Sequence, residues 1–122
     1  MSDLTELTDR YFAMWNETDL ARRSDIIAQT WTENATYIDP LISGVGHDGI
    51  DAMVQAVQTQ FAGHQFHRTG AVDAHHDRIR FSWELAPEGG PAIAYGTDFG
   101  VVAEDGRLQM ITGFLDAAAT AH

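Results

Sequence analysis

The sequence predicts an α+β domain, in which three N-terminal helices precede a mostly antiparallel sheet. Apolar residues recur at helical spacing through the first half of the chain, the period changes to two after Gly63, and turn residues then interrupt the alternation at short intervals. Helices first and strands afterwards is the order of an α+β fold, not of alternating βα units. The 122 residues suit one domain, spanning 1–122, with one core.

The first helix is expected over 3–16, where Leu4, Leu7, Tyr11, Met14 and Trp15 form one stripe and Asp3 with Glu6 reads as a capping box. A second is expected over 19–31, with Leu20, Ile27 and Trp31 on its stripe and Thr18 as its cap. Thr32-Glu33-Asn34 breaks the pattern, and a short strand runs from Ala35 to Asp39. Asp48 then caps a third helix carrying Ile50, Met53, Val54, Val57 and Phe61, which Gly63 ends. Strands follow at about 65–75, 78–85, 92–102 and 107–116, separated by His76-Asp77, the run Pro87-Glu88-Gly89-Gly90-Pro91, and Glu104-Asp105-Gly106.

Two strands carry the functional information. In RIRFSWEL, Ile79, Phe81, Trp83 and Leu85 alternate with Arg78, Arg80, Ser82 and Glu84. In AIAYGTDFGVV, one face holds Ala92, Ala94, Gly96, Asp98 and Gly100 and the other Ile93, Tyr95, Thr97, Phe99 and Val101. Small residues around one carboxylate leave volume that a core would fill, so this face is expected to line a cavity with Asp98 pointing in. The bulky face, with Leu108, Met110 and Phe114 on the last strand, is an apolar surface that predicts a two-fold homodimer through the sheet.

Composition narrows the chemistry. A net charge of −11 argues against nucleic acid and against anionic membrane surfaces. No apolar run approaches a membrane span, and the acidic N-terminus lacks an apolar signal core, which predicts a cytoplasmic protein. The chain has no cysteine and no lysine, so thiol and side-chain Schiff-base chemistry are excluded. His64 and His67 point to opposite faces of a strand, as do His75 and His76, so no metal site and no cofactor are expected. Carboxylates and tyrosines remain.

The stretches ENATYIDP, GHDGIDAM and TDFGVVAEDGRL resemble the NTF2-like superfamily, the cone-shaped fold of SnoaL-like polyketide cyclases and ketosteroid isomerases. The resemblance covers nearly the whole chain. It implies helices packed on a curved sheet around an internal pocket for a small hydrophobic ligand. It also implies an isomerase or cyclase using carboxylate acid–base chemistry on an apolar ketone, steroid-like or polyketide-like. A non-catalytic binding module with the same pocket is the alternative, and both fit a pocket carboxylate better than a partner-binding protein of the transport-factor kind. Compared residue by residue, Ala35-Thr36-Tyr37-Ile38-Asp39-Pro40 matches the isomerase strand whose aspartate is the general base. Arg10-Tyr11 matches the pair carrying the oxyanion tyrosine, and Asp98, eight residues before Gly106, matches the protonated aspartate beside it. The further tyrosines of the isomerases fall at Trp31 and about Val54, so their tyrosine network is not expected.

Asp39, Tyr11 and Asp98 are therefore the candidate catalytic residues. Each also has a plain structural reading, Asp39 as a turn residue before Pro40 and Tyr11 as a core tyrosine with one hydrogen bond. Phe66, Trp83 and Leu85 are expected as apolar walls that raise a carboxylate pKa. Trp31, His64, Phe81 and Ile111 complete the expected lining.

Overall fold

The helical stripes become α1 (Leu4–Asn16), α2 (Leu20–Thr30) and α3 (Gly46–Gln60) in a computed structural model that describes residues 4–116. The strands are β1 (Trp31–Ile38), β2 (Ser43–Val45), β3 (His64–Arg68), β4 (Asp73–His75), β5 (Arg78–Pro87), β6 (Ala94–Val102) and β7 (Leu108–Asp116). They form one sheet in the order β2-β1-β7-β6-β5-β3, with β4 also paired to β5. Every pairing is antiparallel except β1 with β7. The sheet curls around α1 and α3 to make an α+β cone.

Several boundaries differ from the expected ones. Asp19, not Thr18, caps α2, its carboxylate accepting the Arg22 N–H at 2.9 Å. Trp31 opens β1 instead of closing the helix, so the strand begins four residues before Ala35. Asp48 sits in the first turn of α3, and Val45 occupies the cap position without a side-chain bond. Here β2, which the sequence did not announce, runs straight into the helix: a Cβ on Gly44 would lie 2.7 Å from the Gly49 carbonyl, so only glycine permits the approach. The expected strand over 65–75 splits into β3 and β4 on either side of Gly70. The Asp3 capping box lies outside the described residues.

The concave face of the sheet meets the helices. Leu7, Met14 and Trp15 of α1, Ile27 of α2, and Ile50, Met53 and Val54 of α3 bury against Ile79, Phe81, Trp83, Leu85, Leu108 and Ile111. Leu108 corrects the expected outer face, because it is fully buried. The register shifts between Val101 and Val102, so Met110 opposes Val101 while Leu108 opposes Val102. That bulge turns Leu108 inward. Arg23 is also fully buried and ties α2 to α3. Its guanidinium donates to Asp51 Oδ1 at 2.6 Å, Gln55 Oε1 at 2.7 Å, and Gln58 Oε1 and the Glu17 carbonyl at 2.9 Å.

Candidate functional site

Alternation along β6 turns Gly96, Asp98 and Gly100 toward the helices, so the small face is the inner one, as its composition implies. The space beside those glycines is filled, however. A Cβ on Gly96 would fall inside the Trp83 indole, and one on Gly100 would lie 2.7 Å from Ile111 Cδ1. The glycines admit neighbouring side chains, and the cavity opens further along, beyond Asp98 and Ala94.

That cavity has a volume of about 160 Å³. Its walls are apolar and aromatic, with Phe12, Trp15, Phe61, Phe66, Trp83 and Leu85 among them. Its polar groups are chiefly two tyrosine–aspartate pairs. In the deeper pair, Tyr11 Oη donates to Asp98 Oδ2 at 2.6 Å while Trp83 Nε1 donates to Oδ1 at 3.1 Å. Asp98 is 1% exposed. Burial pushes its carboxyl up to about 6, against the Tyr11 and Trp83 donors, which favour the anion, and with a smaller push from Asp39. Burial also raises Tyr11 well above the ordinary tyrosine value, with the Asp98 charge adding to it.

The second pair sits nearer the mouth, where β1 ends. Tyr37 Oη donates to Asp39 Oδ2 at 2.7 Å, and the Leu41 and Ile42 N–H groups donate to Oδ1 at 2.8 and 3.0 Å. The turn reading of Asp39 is thus present in the geometry, with its other oxygen facing the cavity tyrosine. Burial raises Tyr37 as well, and the charges of Asp98 and Asp39 add to the rise.

Gly113 of β7, register partner of Asp98, brings the two pairs together. A methyl group there would lie 2.8 Å from Asp98 Oδ1, 3.2 Å from Asp39 Cβ and 3.2 Å from Tyr37 Oη. The absence of a side chain is what lets β7 run beneath both carboxylates.

Tyr11, Asp39 and Asp98 therefore line one cavity with Phe66, Trp83 and Leu85. The other four expected lining residues lie elsewhere. Trp31 is fully buried behind Tyr11, donating from Nε1 to Met14 Sδ at 3.0 Å. Phe81 packs edge-on against Tyr11 and Phe12. Ile111 fills the core beside Gly100. His64 lines a separate groove and donates from Nδ1 toward the Phe61 and Ala62 carbonyls.

Tyr37 and Gly113 were missed. Two residues from Asp39 on a strand, Tyr37 must share its face, and that period was the available signal. It also supplies the second cavity tyrosine that comparison at Trp31 and Val54 did not find. Gly113 carries no local signal, because its importance depends on a strand 15 residues earlier.

The SnoaL-like domain family matches residues 8–110. A SnoaL-like protein from Agrobacterium tumefaciens str. C58, described as a candidate isomerase, superposes with a TM-score of 0.88 at 40% identity, covering 92% of this chain and 96% of that one. An NTF2-like protein from Exiguobacterium sp. 255-15 gives a TM-score of 0.72 at 21% identity, over 90% and 98% of the two chains. A candidate SnoaL-like polyketide cyclase from Jannaschia sp. CCS1 gives 0.68 at 15% identity, over 97% and 94%. Those two show likeness of fold alone. No curated protein matches the sequence.

Proposed function

Because the chain belongs to the SnoaL-like family, we propose that its cavity performs carboxylate acid–base chemistry on an apolar ketone, moving a proton at the carbon next to the carbonyl. The observation that carries this reading is the convergence of two tyrosine–aspartate pairs at Gly113 inside an otherwise apolar cavity. Asp39 is the base. It stands at the cavity mouth on a strand end, held by backbone N–H groups that fix its orientation. Tyr11 donates to the developing oxyanion, and Asp98 in its neutral form backs it. With a proton on Oδ2, Asp98 donates to Tyr11 Oη and frees the phenol hydrogen for the substrate oxygen.

A single observation favours a second reading, a binding module without turnover. Both Asp39 oxygens already accept hydrogen bonds, which leaves the carboxylate less free to take a proton. One experiment separates the two. Incubation with β,γ-unsaturated ketones in D₂O, followed by proton NMR, is expected to show catalysed exchange or isomerisation. Asp39→Asn and Tyr11→Phe should each lose roughly 10²- to 10⁴-fold. Exchange at equal rates in wild type and Asp39→Asn removes Asp39 from the chemistry, and saturable binding without exchange selects the binding module.

A further inference from the structure

We propose that the cavity selects neutral ligands of one ring, and that Phe61 sets the size limit by walling it off from a larger groove. This rests on reading the cavity as the ligand site, and it adds the ligand class and the residue that defines it.

Size comes first. A cavity of about 150 Å³ takes a benzene-sized guest, whereas drug-sized ligands occupy pockets of about 300–1,000 Å³. At about 160 Å³ this cavity matches the smaller class. Charge comes second. Among the described residues two aspartates line it and no arginine or histidine does, in a chain of net charge −11. A carboxylate or phosphate entering it would lose its hydration and meet like charge without a compensating cation. A neutral carbonyl compound suffers neither penalty.

The wall comes third. Between the C-terminal ends of α1 and α3 and the strands β3 and β5 lies a groove of about 710 Å³. Among the described residues, Trp15 and Phe61 line both the groove and the cavity. Trp15 is nearly fully buried and packs on Tyr37 and Phe66 at ring separations of 5.6 and 5.1 Å, so it belongs to the core. Phe61 is half-buried just past the end of α3, its ring edge-on to His64 at 5.9 Å. It is the part of the wall that can be removed with the core left standing. Removing its ring joins cavity and groove.

Binding to the full chain is read by tryptophan fluorescence and by calorimetry. The probes are cyclohex-2-enone and phenol as neutral one-ring ligands, cyclohexanecarboxylate as the anionic match, and 2-tetralone and a four-ring steroid ketone as larger ones. In wild type the one-ring neutral probes should bind saturably, at least about tenfold more tightly than the anion and than the larger ketones. Phe61→Ala should improve 2-tetralone binding about tenfold or more and leave the discrimination against the anion unchanged. Phe61→Leu, with most of the apolar volume retained, should fall between the two and serves if the alanine variant does not fold. Equal binding of the larger ketones or of the anion by wild type overturns the proposal. So does an unchanged size preference in a folded Phe61 variant, or no binding of either one-ring probe. Selective binding without proton exchange leaves this proposal standing and removes the catalytic one; exchange on large ketones does the reverse.

Discussion

Asp98 is the fully buried carboxyl of the site, and the sign of its pKa shift can be tested. Its carboxyl is pushed up from the ordinary 3.8 to about 6, so between those values the folded protein holds the proton more tightly than the unfolded chain. The stability contributed by this group is fully present below pH 3.8 and is lost as pH rises through about 6. Two units correspond to about 3 kcal/mol. Asp98→Asn cannot ionise, so its stability relative to wild type should improve by most of that amount between about pH 4 and pH 8 in urea titrations. A pH-independent difference would mean that the buried carboxyl titrates normally. The rate should follow the same group. If neutral Asp98 backs Tyr11, exchange should fall in wild type as pH rises through about 6, and that limb should vanish in Asp98→Asn. Gly113 gives a steric counterpart. A methyl group 2.8 Å from Asp98 Oδ1 and 3.2 Å from Asp39 Cβ must displace one carboxylate. Gly113→Ala should therefore cost about 1–3 kcal/mol in thermal unfolding and at least about tenfold in exchange. Full activity in the variant would show that the two pairs can move apart without consequence.

At the scale of elements, one buried arginine connects α2 to α3. Arg23 donates to Asp51, Gln55, Gln58 and the Glu17 carbonyl while fully buried. Arg23→Lys brings a point charge with a different donor geometry to a place built for a planar fork. Arg23→Ala leaves the glutamine oxygens without their donor. Either change is expected to lower stability by about 3 kcal/mol in denaturant unfolding, discounted because Asp51 is itself 38% exposed. A loss below about 0.5 kcal/mol, ordinary for surface sites, would mean that the network is incidental. The sequence showed helices, strands and the inward face of β6 wherever a period of 3.6 or 2 ran for several turns, as in Leu7-Tyr11-Met14 or Ile79-Phe81-Trp83. It did not show Arg23, because an arginine on a helix reads as solvated until its partners on another helix are known. Nor did it show the inward turn of Leu108, because a bulge shifts the period by one residue without a change in composition. The same limit applied to the site. Asp39 and Tyr11 were legible through family resemblance and Asp98 also through the small residues around it on β6, while Phe81 and Ile111 were apolar residues on the correct face at the wrong depth.

For the whole molecule, the outer face of the sheet is the surface that predicts an assembly. Tyr95, Phe99, Val101 and Met110 are half-buried there, Phe114 is 58% exposed and Ile38 54%. Phe99 lies opposite Thr112 and Val101 opposite Met110, so apolar side chains alternate with threonines across the outer face of β6 and β7. Such a surface is expected to pair with its copy about a two-fold axis. Light scattering at about ten micromolar, a range that detects weak dimers, should give twice the chain mass, and Phe114→Asp should halve it. A monomer under those conditions would leave the face to some other partner.

The parallel pairing of β1 with β7 also governs when this protein can exist. Tyr37 has only the short β2 beside it until Ile111 arrives, and Tyr11 waits for a partner 87 residues downstream. A ribosome adding about 5–20 residues per second needs roughly 4–14 s to travel from the end of β1 to the start of β7. Throughout that interval the helices have no closed sheet to cover, and their apolar stripes stay open to solvent or to chaperones. The cavity is therefore completed only with the last strand of the fold. Nascent chains arrested before β7 should be protease-sensitive throughout, and resistance should appear in one step once that strand has cleared the exit tunnel.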